Sequence, residues 1–161
     1  MTSPVRVPRV PHVSRVPGYP YAAVVPTRWN DNDVYGHANN VIYYVAIDTV
    51  VNAWMIEHGL DIEAGEAIGL VVESGVRFLG SITYPDVFVL GLRIIRLGTS
   101  SVRWQVAMER ASDGVRIGEA SYVHVFVDRA TRRPTPIPGA LRTAMQPLVH
   151  PERPDASADG H

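Results

Sequence analysis

The distribution of proline is the sequence feature that most constrains how this chain can fold. Twelve of its 13 prolines lie at or before Pro26 or at or after Pro134, and only Pro85 lies between them. Proline fixes φ and removes a backbone hydrogen-bond donor, so a long segment nearly free of it can form continuous helices and strands. We therefore predict one folded domain over residues 19–148 of the 161.

The two proline-rich ends are expected to lie outside that domain. Residues 1–18 predict an extended or disordered arm, and residues 149–161 predict a disordered tail. The arm carries three arginines but no apolar segment of the kind that a secretory signal requires. No apolar run is long enough to span a bilayer, so the cytoplasm is the expected location and a membrane is not an expected partner.

Composition excludes several classes of function. The formal net charge is -1, which gives no electrostatic reason to expect nucleic acid as a partner. The chain has no cysteine, so disulfides, thiolate metal sites and a cysteine nucleophile are excluded. All 15 basic residues are arginine, which excludes a Schiff-base lysine and a Walker-type phosphate loop. The histidines lack metal-site spacing and no G-x-S-x-G or G-x-G-x-x-G motif occurs, so no metal or cofactor is expected.

A helix is predicted in the first half of the chain. A short strand around residues 21–27 and a polar loop precede the segment NNVIYYVAIDTVVNAWMIEHG, residues 39–59. Its apolar residues recur at three- and four-residue spacings, the signature of a helix with a broad buried face. Asn39 or Asn40 is suited to the N-cap, and Gly59 to the position after the C-cap. β-Branched residues weaken the intrinsic helix propensity, so we expect burial against a sheet to stabilise this helix.

The apolar period changes to two after the helix. Four segments rich in β-branched and aromatic residues follow, at 69–79, 86–97, 101–110 and 115–128. Turn-forming residues separate them, which predicts consecutive antiparallel strands. Together with the first strand, this order predicts an α+β fold in which one long helix packs on a curved antiparallel sheet of about five strands. Such a sheet leaves an edge or a face uncovered, so we expect at least a dimer.

Two aspartates, Asp31 and Asp33, lie in the polar loop that enters the helix and are the leading candidates for chemistry. The start of a helix presents free N–H groups and a partial positive charge. A carboxylate there can act as a nucleophile or activate water, while the amides of residues 39–41 polarise a carbonyl. Asp and Asn are also common turn and cap formers, and on spacing alone this structural interpretation is favoured.

Other polar residues admit more than one role. Arg28 is expected to support the loop by packing and ion pairing, and Gly36 indicates positive φ or a close approach to a ligand. His37 can donate to a substrate carbonyl, act as acid or base, or serve as a cap. Glu73 interrupts an apolar strand and points either into a cleft or, as we favour, to solvent. His124 lies among apolar residues, which favours a partly buried structural histidine.

The segment RWNDNDVYGHANNVIYY, residues 28–44, resembles the motif of the 4-hydroxybenzoyl-CoA thioesterase-like family of hot-dog-fold acyl-CoA thioesterases. The family pattern runs approximately R-[WY]-x-D-x-D-x-x-G-H-x-N-N-x-x-Y. Nine residues fall in register with it: Arg28, Trp29, Asp31, Asp33, Gly36, His37, Asn39, Asn40 and Tyr43. The segments RFLGSITYPDVFVL and FVDRATRRPTPIP are similar to the family's second-to-third strand junction and to its last strand with a proline-rich exit. The resemblance covers roughly residues 20–147.

The resemblance implies a sheet wrapped around a long central helix, assembly into dimers or tetramers, and active sites at the dimer interface. The second aspartate of the pattern, Asp33, would be the catalytic carboxylate, and Asp31 would structure the loop. Coenzyme A would lie along the surface with its phosphates near arginines. Contacts to the substrate carbonyl would come from backbone or side-chain groups of His37, Asn39, Asn40 and Val41. A possible acyl pocket would be bordered by Tyr35, Tyr43 and Glu73.

The function implied by the resemblance is hydrolysis of an acyl-CoA thioester, with coenzyme A as part of the substrate. A thioester carbonyl is electrophilic and its thiolate leaves readily, so one carboxylate and polarising amides can suffice. Two alternatives stay open: an inactive hot-dog binding or assembly protein, against which the retained Asp33 argues, and an acyl-carrier-protein thioesterase of a biosynthetic pathway. Also open are the acyl group and whether Asp33 attacks the carbonyl or deprotonates water.

Overall fold

The computed structural model describes residues 15–150. Within this range the elements are β1 Tyr21–Pro26, α1 Asn40–Glu57, β2 Ala67–Phe78, β3 Val87–Leu97, β4 Ser101–Arg110, β5 Arg116–Asp128 and α2 Gly139–Met145, with 3₁₀ turns at Trp29–Asp31 and Gln146–Leu148. The strands form one antiparallel sheet in the order β1-β3-β4-β5-β2. The predicted combination of a five-stranded antiparallel sheet with a helix is confirmed.

Helix α1 contains 18 residues and begins and ends where the sequence pattern placed it. The side chain of Asn39 accepts a hydrogen bond from Val41 N at 3.0 Å, which makes Asn39 the N-cap. Gly59 follows the last turn with a φ of +107°, a left-handed conformation that glycine adopts without strain. Burial of eight side chains between Tyr43 and Met55 offsets the low helix propensity. No helix among the described residues is long and apolar enough to cross a membrane.

One face of the sheet, called the inner face here, packs against α1. Trp104 meets Trp54 of α1 edge-on, with ring centroids 5.5 Å apart. Helix α2 extends this core with two buried side chains, Leu141 and Met145. The sequence pattern does not predict α2, which begins directly after Pro138. The inner-face core residues of β3 and β4 are Phe88, Leu90, Leu92, Ile94, Val102, Trp104, Val106 and Met108.

The opposite, outer face is partly covered by the chain that precedes β1. Val16 and Tyr19 form a turn that packs on this face beside Ala22 and Ala107. Gly91 makes room for the turn, since a β-carbon there would lie 2.8 Å from the β-carbon of Tyr19. The turn therefore belongs to the packed structure. The rest of the predicted arm and almost all of the predicted tail lie outside the described residues.

Strand β2 forms one edge of the sheet, and most of its 12 residues are exposed. Its pairing with β5 is interrupted by a bulge at Val72, the most exposed apolar residue of the strand at 60%. An exposed apolar edge strand readily pairs with another chain. The other exposed apolar side chains of β2 are Leu70, Val71 and Phe78.

Candidate active site

Asp31 holds the loop between β1 and α1 in shape. The residue is 3% exposed, and its carboxylate accepts hydrogen bonds from Arg28 N at 2.7 Å and Arg28 Nε at 3.1 Å. Its backbone carbonyl accepts Asn39 N at 2.8 Å, which ties the loop to the start of α1. Because both carboxylate oxygens bind Arg28, the structure places Asp31 as part of the loop's framework.

Asp33 opens a tight turn that ends at His37. Asp33 N donates to His37 O at 2.8 Å, and Gly36 N donates to Asp33 O at 3.1 Å. Gly36 has a φ of +83°, so a β-carbon would strain the turn. The Asp33 side chain accepts Tyr35 N through Oδ1 at 2.8 Å, while Oδ2 has no donor among residues 15–150. This second oxygen can accept a proton or a hydrogen bond from a bound molecule.

A cleft of about 360 Å³ opens beside this turn. The loop after β1 and the start of α1 form one wall, and the end of β2 with the loop after it forms the other. This second wall resembles in sequence a strand junction of the family, but the sequence does not assign it to the site, because α1 and most of β2 separate it along the chain from the aspartates. The predicted site residues that border the cleft are Asp33, Tyr35, His37, Asn39, Asn40 and Tyr43, and the second wall consists of Phe78, Gly80 and Ser81.

Only part of the expected amide cluster at the start of α1 is available to a substrate. Asn39 N donates to Asp31 O at 2.8 Å, and Val41 N donates to Asn39 Oδ1 at 3.0 Å. The Asn40 amide has no acceptor among the described residues and belongs to a residue that borders the cleft. The Asp31 carbonyl and the Asn39 side-chain cap thus engage one amide each, and of the three expected amides only that of Asn40 has no acceptor within residues 15–150.

Tyr43 joins the two walls from within α1. Its hydroxyl donates to Gly80 O at 2.9 Å, and its ring meets those of Phe78 and Phe88 edge-on at centroid distances of 5.0 and 5.3 Å. Burial raises the pKa of Tyr43, so the phenol stays protonated and acts as a donor. The side chain therefore fixes the separation between the helix start and the second wall.

The loop that carries Asp33 is further joined to the loop of residues 79–86. Trp29 supports this junction by meeting Tyr84 edge-on, with ring centroids 5.9 Å apart. The two loops form one hydrogen-bonded unit rather than two independent flaps. The bonds between them are Ala38 N to Ile82 O at 2.8 Å, Thr83 Oγ1 to Gly36 O at 3.1 Å and Tyr84 N to Asn32 Oδ1 at 3.1 Å.

Glu73 does not border the cleft. It pairs across the strands with Val123 on the outer face, and its Oε1 accepts Arg103 Nη1 at 2.9 Å. This hydrogen bond and the guanidinium charge lower the pKa of Glu73. The structure agrees with the solvent-facing alternative for this residue. Within residues 15–150, no three His, Asp or Glu side chains are grouped as a metal site would require.

Comparison with known proteins identifies the family to which this chain belongs. The model of the thioesterase-like superfamily matches residues 27–145, a span that contains both walls of the cleft. The PA5185 protein of Pseudomonas aeruginosa is 44% identical over 81% of this chain and 92% of its own, with a TM-score of 0.78. No curated protein matches the chain significantly.

Two more distant solved structures share the fold. Slr0204 of Synechocystis, a 1,4-dihydroxy-2-naphthoyl-CoA thioesterase, is 18% identical over 81% of this chain and 98% of its own, with a TM-score of 0.72. SAV2348 of Staphylococcus aureus, solved in complex with CoA, is 17% identical over 84% of this chain and 89% of its own, with a TM-score of 0.75. At these identities the similarity shows the fold alone.

Proposed function

Because the chain belongs to the thioesterase-like superfamily, we propose that it hydrolyses an acyl-CoA thioester to a free acid and coenzyme A. Membership of the superfamily supports thioesterase activity in general. One observation carries the finer proposal: Asp33 and Asn40 border the same cleft, and each has a polar group without a partner among the described residues. A carboxylate and a helix-start amide that share a cleft form the minimal set for thioester hydrolysis.

The proposed chemistry assigns one step to each of these groups. The oxygen of a water molecule bonds to the thioester carbonyl carbon, the C–S bond breaks, and the departing thiolate takes up a proton. Asp33 removes the proton from the attacking water. In a covalent variant, Asp33 attacks the carbonyl carbon and expels the thiolate to form an anhydride, which water then hydrolyses to the free acid and the restored carboxylate. The Asn40 amide, at the positive end of α1, binds the negative carbonyl oxygen as it develops. One such donor contributes on the order of 10²–10³ in kcat.

His37 keeps two possible roles in this scheme. Its backbone carbonyl accepts Asp33 N, so the residue shapes the turn, and it is exposed where the cleft opens. The imidazole can donate to the thioester carbonyl from that position. Tyr35 borders the same opening and would restrict the width of the acyl group that enters.

The proposed acyl carrier is coenzyme A, with an acyl carrier protein as the alternative. Coenzyme A is preferred because the motif of residues 28–44 resembles that of acyl-CoA thioesterases. A protein of the same fold, SAV2348, was solved with CoA bound. Coenzyme A enters as part of the substrate and leaves as product, so the proposed reaction needs no separate cofactor. The cytoplasm stays the location predicted from the sequence.

We also propose that two copies assemble through β2 and complete the cleft. The strand ends at Phe78, which borders the cleft, and its unpaired edge carries exposed apolar side chains. Antiparallel pairing of β2 with its counterpart in a second copy would bury this edge. It would also bring the partner's chain beside the open end of the cleft, which a single chain leaves exposed to water.

The test of the activity is substitution of Asp33→Asn, which keeps the shape of the side chain but removes the basic oxygen. Thiol released from short-chain, long-chain and aromatic acyl-CoA would be followed with a colorimetric reagent. We expect turnover to fall by at least about a hundredfold, because the carboxylate takes part in the chemical step. Asp61→Asn is the matched control, since Asp61 lies beyond the far end of α1 and accepts only from local backbone amides.

The outcomes separate the alternatives. Undiminished turnover by Asp33→Asn would overturn the assignment of Asp33. If the natural chain releases no thiol from any of these substrates but does so from an acylated carrier protein, the carrier assignment is wrong. If it binds acyl-CoA without turnover, the binding-protein alternative is correct.

A further inference from the structure

The second wall of the cleft is held by bonds to three consecutive backbone carbonyls. The carbonyls of residues 80–82 accept, in order, the Tyr43 hydroxyl at 2.9 Å, Nη1 of Arg110, and the Ala38 amide at 2.8 Å. These donors come from α1, from the end of β4 and from the loop between β1 and α1, which carries Asp33 and is called the catalytic loop below. Such a loop has little freedom to move away from Asp33 while all three bonds are intact.

Arg110 is the donor that reaches the wall from outside the cleft. Its Nε and Nη2 bind both carboxylate oxygens of Asp113, at 3.0 and 2.6 Å, which orients the guanidinium plane. The remaining nitrogen, Nη1, donates to Ser81 O. The hydrogen bond with Asp113 raises the pKa of Arg110, and the same bond lowers the pKa of Asp113. Asp113 therefore orients the guanidinium group whose Nη1 binds the Ser81 carbonyl.

The same β4–β5 hairpin also contacts the C-terminal end of the loop of residues 79–86. Ser112 Oγ donates to Asp86 Oδ2 at 2.6 Å, and Asp86 O accepts the Thr27 hydroxyl at 2.8 Å, just before the catalytic loop. The hairpin thus braces the loop of residues 79–86 at two points. Of these two contacts, only that of Arg110 reaches a residue that borders the cleft, Ser81.

We propose that Arg110, oriented by Asp113, is a positioning residue for thioester hydrolysis. By holding the Ser81 carbonyl, it keeps the second wall at the distance from Asp33 that aligns the bound thioester with the carboxylate. This inference rests on the proposed function of the cleft. Lysine cannot replace arginine here, because a single ammonium group lacks the fork that binds Asp113 on one side and Ser81 on the other.

The test compares Arg110→Met with Arg116→Met in the full chain. Arg116 is a matched control, because it lies on the same hairpin and also pairs with a carboxylate, that of Glu109. The Arg116 side chain is 31% exposed and that of Arg110 is 25% exposed. Unlike Arg110, Arg116 makes no hydrogen bond to residues 79–86. We expect kcat of Arg110→Met to fall about tenfold with little change in KM, because alignment is lost in the chemical step. Arg116→Met should keep the natural kcat.

Two further measurements distinguish positioning from a general loss of stability. Amide hydrogen exchange at Leu79 and Gly80, which both donate to Ile117 O, should speed up in Arg110→Met and not in Arg116→Met. Asp113→Asn should lower kcat in the same direction, and the double variant should lose little more than Arg110→Met alone. Arg110→Lys should recover only part of the lost kcat.

An equal fall of kcat in Arg110→Met and Arg116→Met, or unchanged exchange at Leu79 and Gly80, would overturn the inference. So would additive effects of Arg110→Met and Asp113→Asn. If the natural chain cleaves no thioester, the proposed function fails, whereas the exchange measurement still reports whether Arg110 holds the wall.

Discussion

His124 shows how burial acts on a single titratable group in this fold. The residue is 1% exposed on the inner face of β5, and its Nδ1 has no hydrogen-bond partner among the described residues. Burial lowers the pKa of His124 from 6.5 to about 4, and the Asp48 carboxylate opposes this shift without overcoming it. The imidazole is therefore neutral in the folded chain at neutral pH. This agrees with the structural role that the sequence favoured for His124.

The lowered pKa of His124 predicts a dependence of stability on pH. Well above pH 6.5 the imidazole is neutral in both states, and its contribution to stability is complete. As the pH falls from 6.5 towards about 4, the unfolded chain binds a proton that the folded chain does not bind, so the free energy of unfolding decreases. The decrease attributable to this residue is at most about 3 kcal/mol.

Thermal unfolding of His124→Leu over this pH interval measures that contribution. We expect the variant to lose less stability between neutral and acidic pH than the natural chain loses. His150→Leu is the control, because it makes the same substitution at an exposed position. An identical pH dependence in His124→Leu and the natural chain would show that burial does not suppress protonation here.

Helix α1 shows how one element supports both the fold and the site. Its first turn supplies the Asn40 amide, which has no acceptor in the described part of the chain, and its buried face joins the core through Trp54 and Met55. The side chain of Asn39 caps that turn by accepting Val41 N. The cap determines which amide is left for a substrate, because it engages one donor and leaves its neighbour free.

Substitution of the cap predicts a loss of stability at this element. Asn39→Ala removes the acceptor for Val41 N, so the free energy of unfolding should fall by about 1 kcal/mol in urea denaturation. Asn39→Ser keeps a side-chain oxygen and should retain most of the stability. Equal stability of the two variants would mean that the capping bond contributes nothing measurable in solution.

The whole molecule has an asymmetric sheet. The turn at Val16 packs over the outer face beside Ala22 of β1, whereas the edge strand β2 exposes apolar side chains near the cleft. Burial of such an edge by a second copy would stabilise the assembly through both backbone pairing and apolar contact. The oligomeric state and the completeness of the cleft are therefore linked in our proposal.

Val72→Glu tests this link. A carboxylate on the exposed edge of β2 should cost the single chain little, but it should repel its counterpart in a second copy. Light scattering after size-exclusion chromatography should show a shift from dimer or larger to monomer, with a parallel loss of thiol release. Ile62→Glu, which places a carboxylate at an exposed isoleucine in the loop between α1 and β2, is the matched control. A natural chain that is monomeric and active would refute the assembly.

Features that depend on neighbouring residues could be predicted from the sequence. A helix cap at Asn39 or Asn40, the role of Gly59 after the helix and the strand–helix–four-strand order follow from local sterics and hydrophobic period. The structure confirms the last two and selects Asn39 as the cap. Asp31 and Asp33 lie in the same loop and have the same side chain. The sequence distinguished their roles only through its resemblance to a family.

Contacts between segments that are distant along the chain depend on the three-dimensional fold. Strict alternation along β2 would place Glu73 on the same face as Val71, but the bulge at Val72 adds one residue and turns Glu73 to the outer face. The second wall of the cleft and its brace, Arg110, come from strands far along the chain. No periodicity encodes such contacts, because they arise only when the sheet brings separate loops to one end of α1.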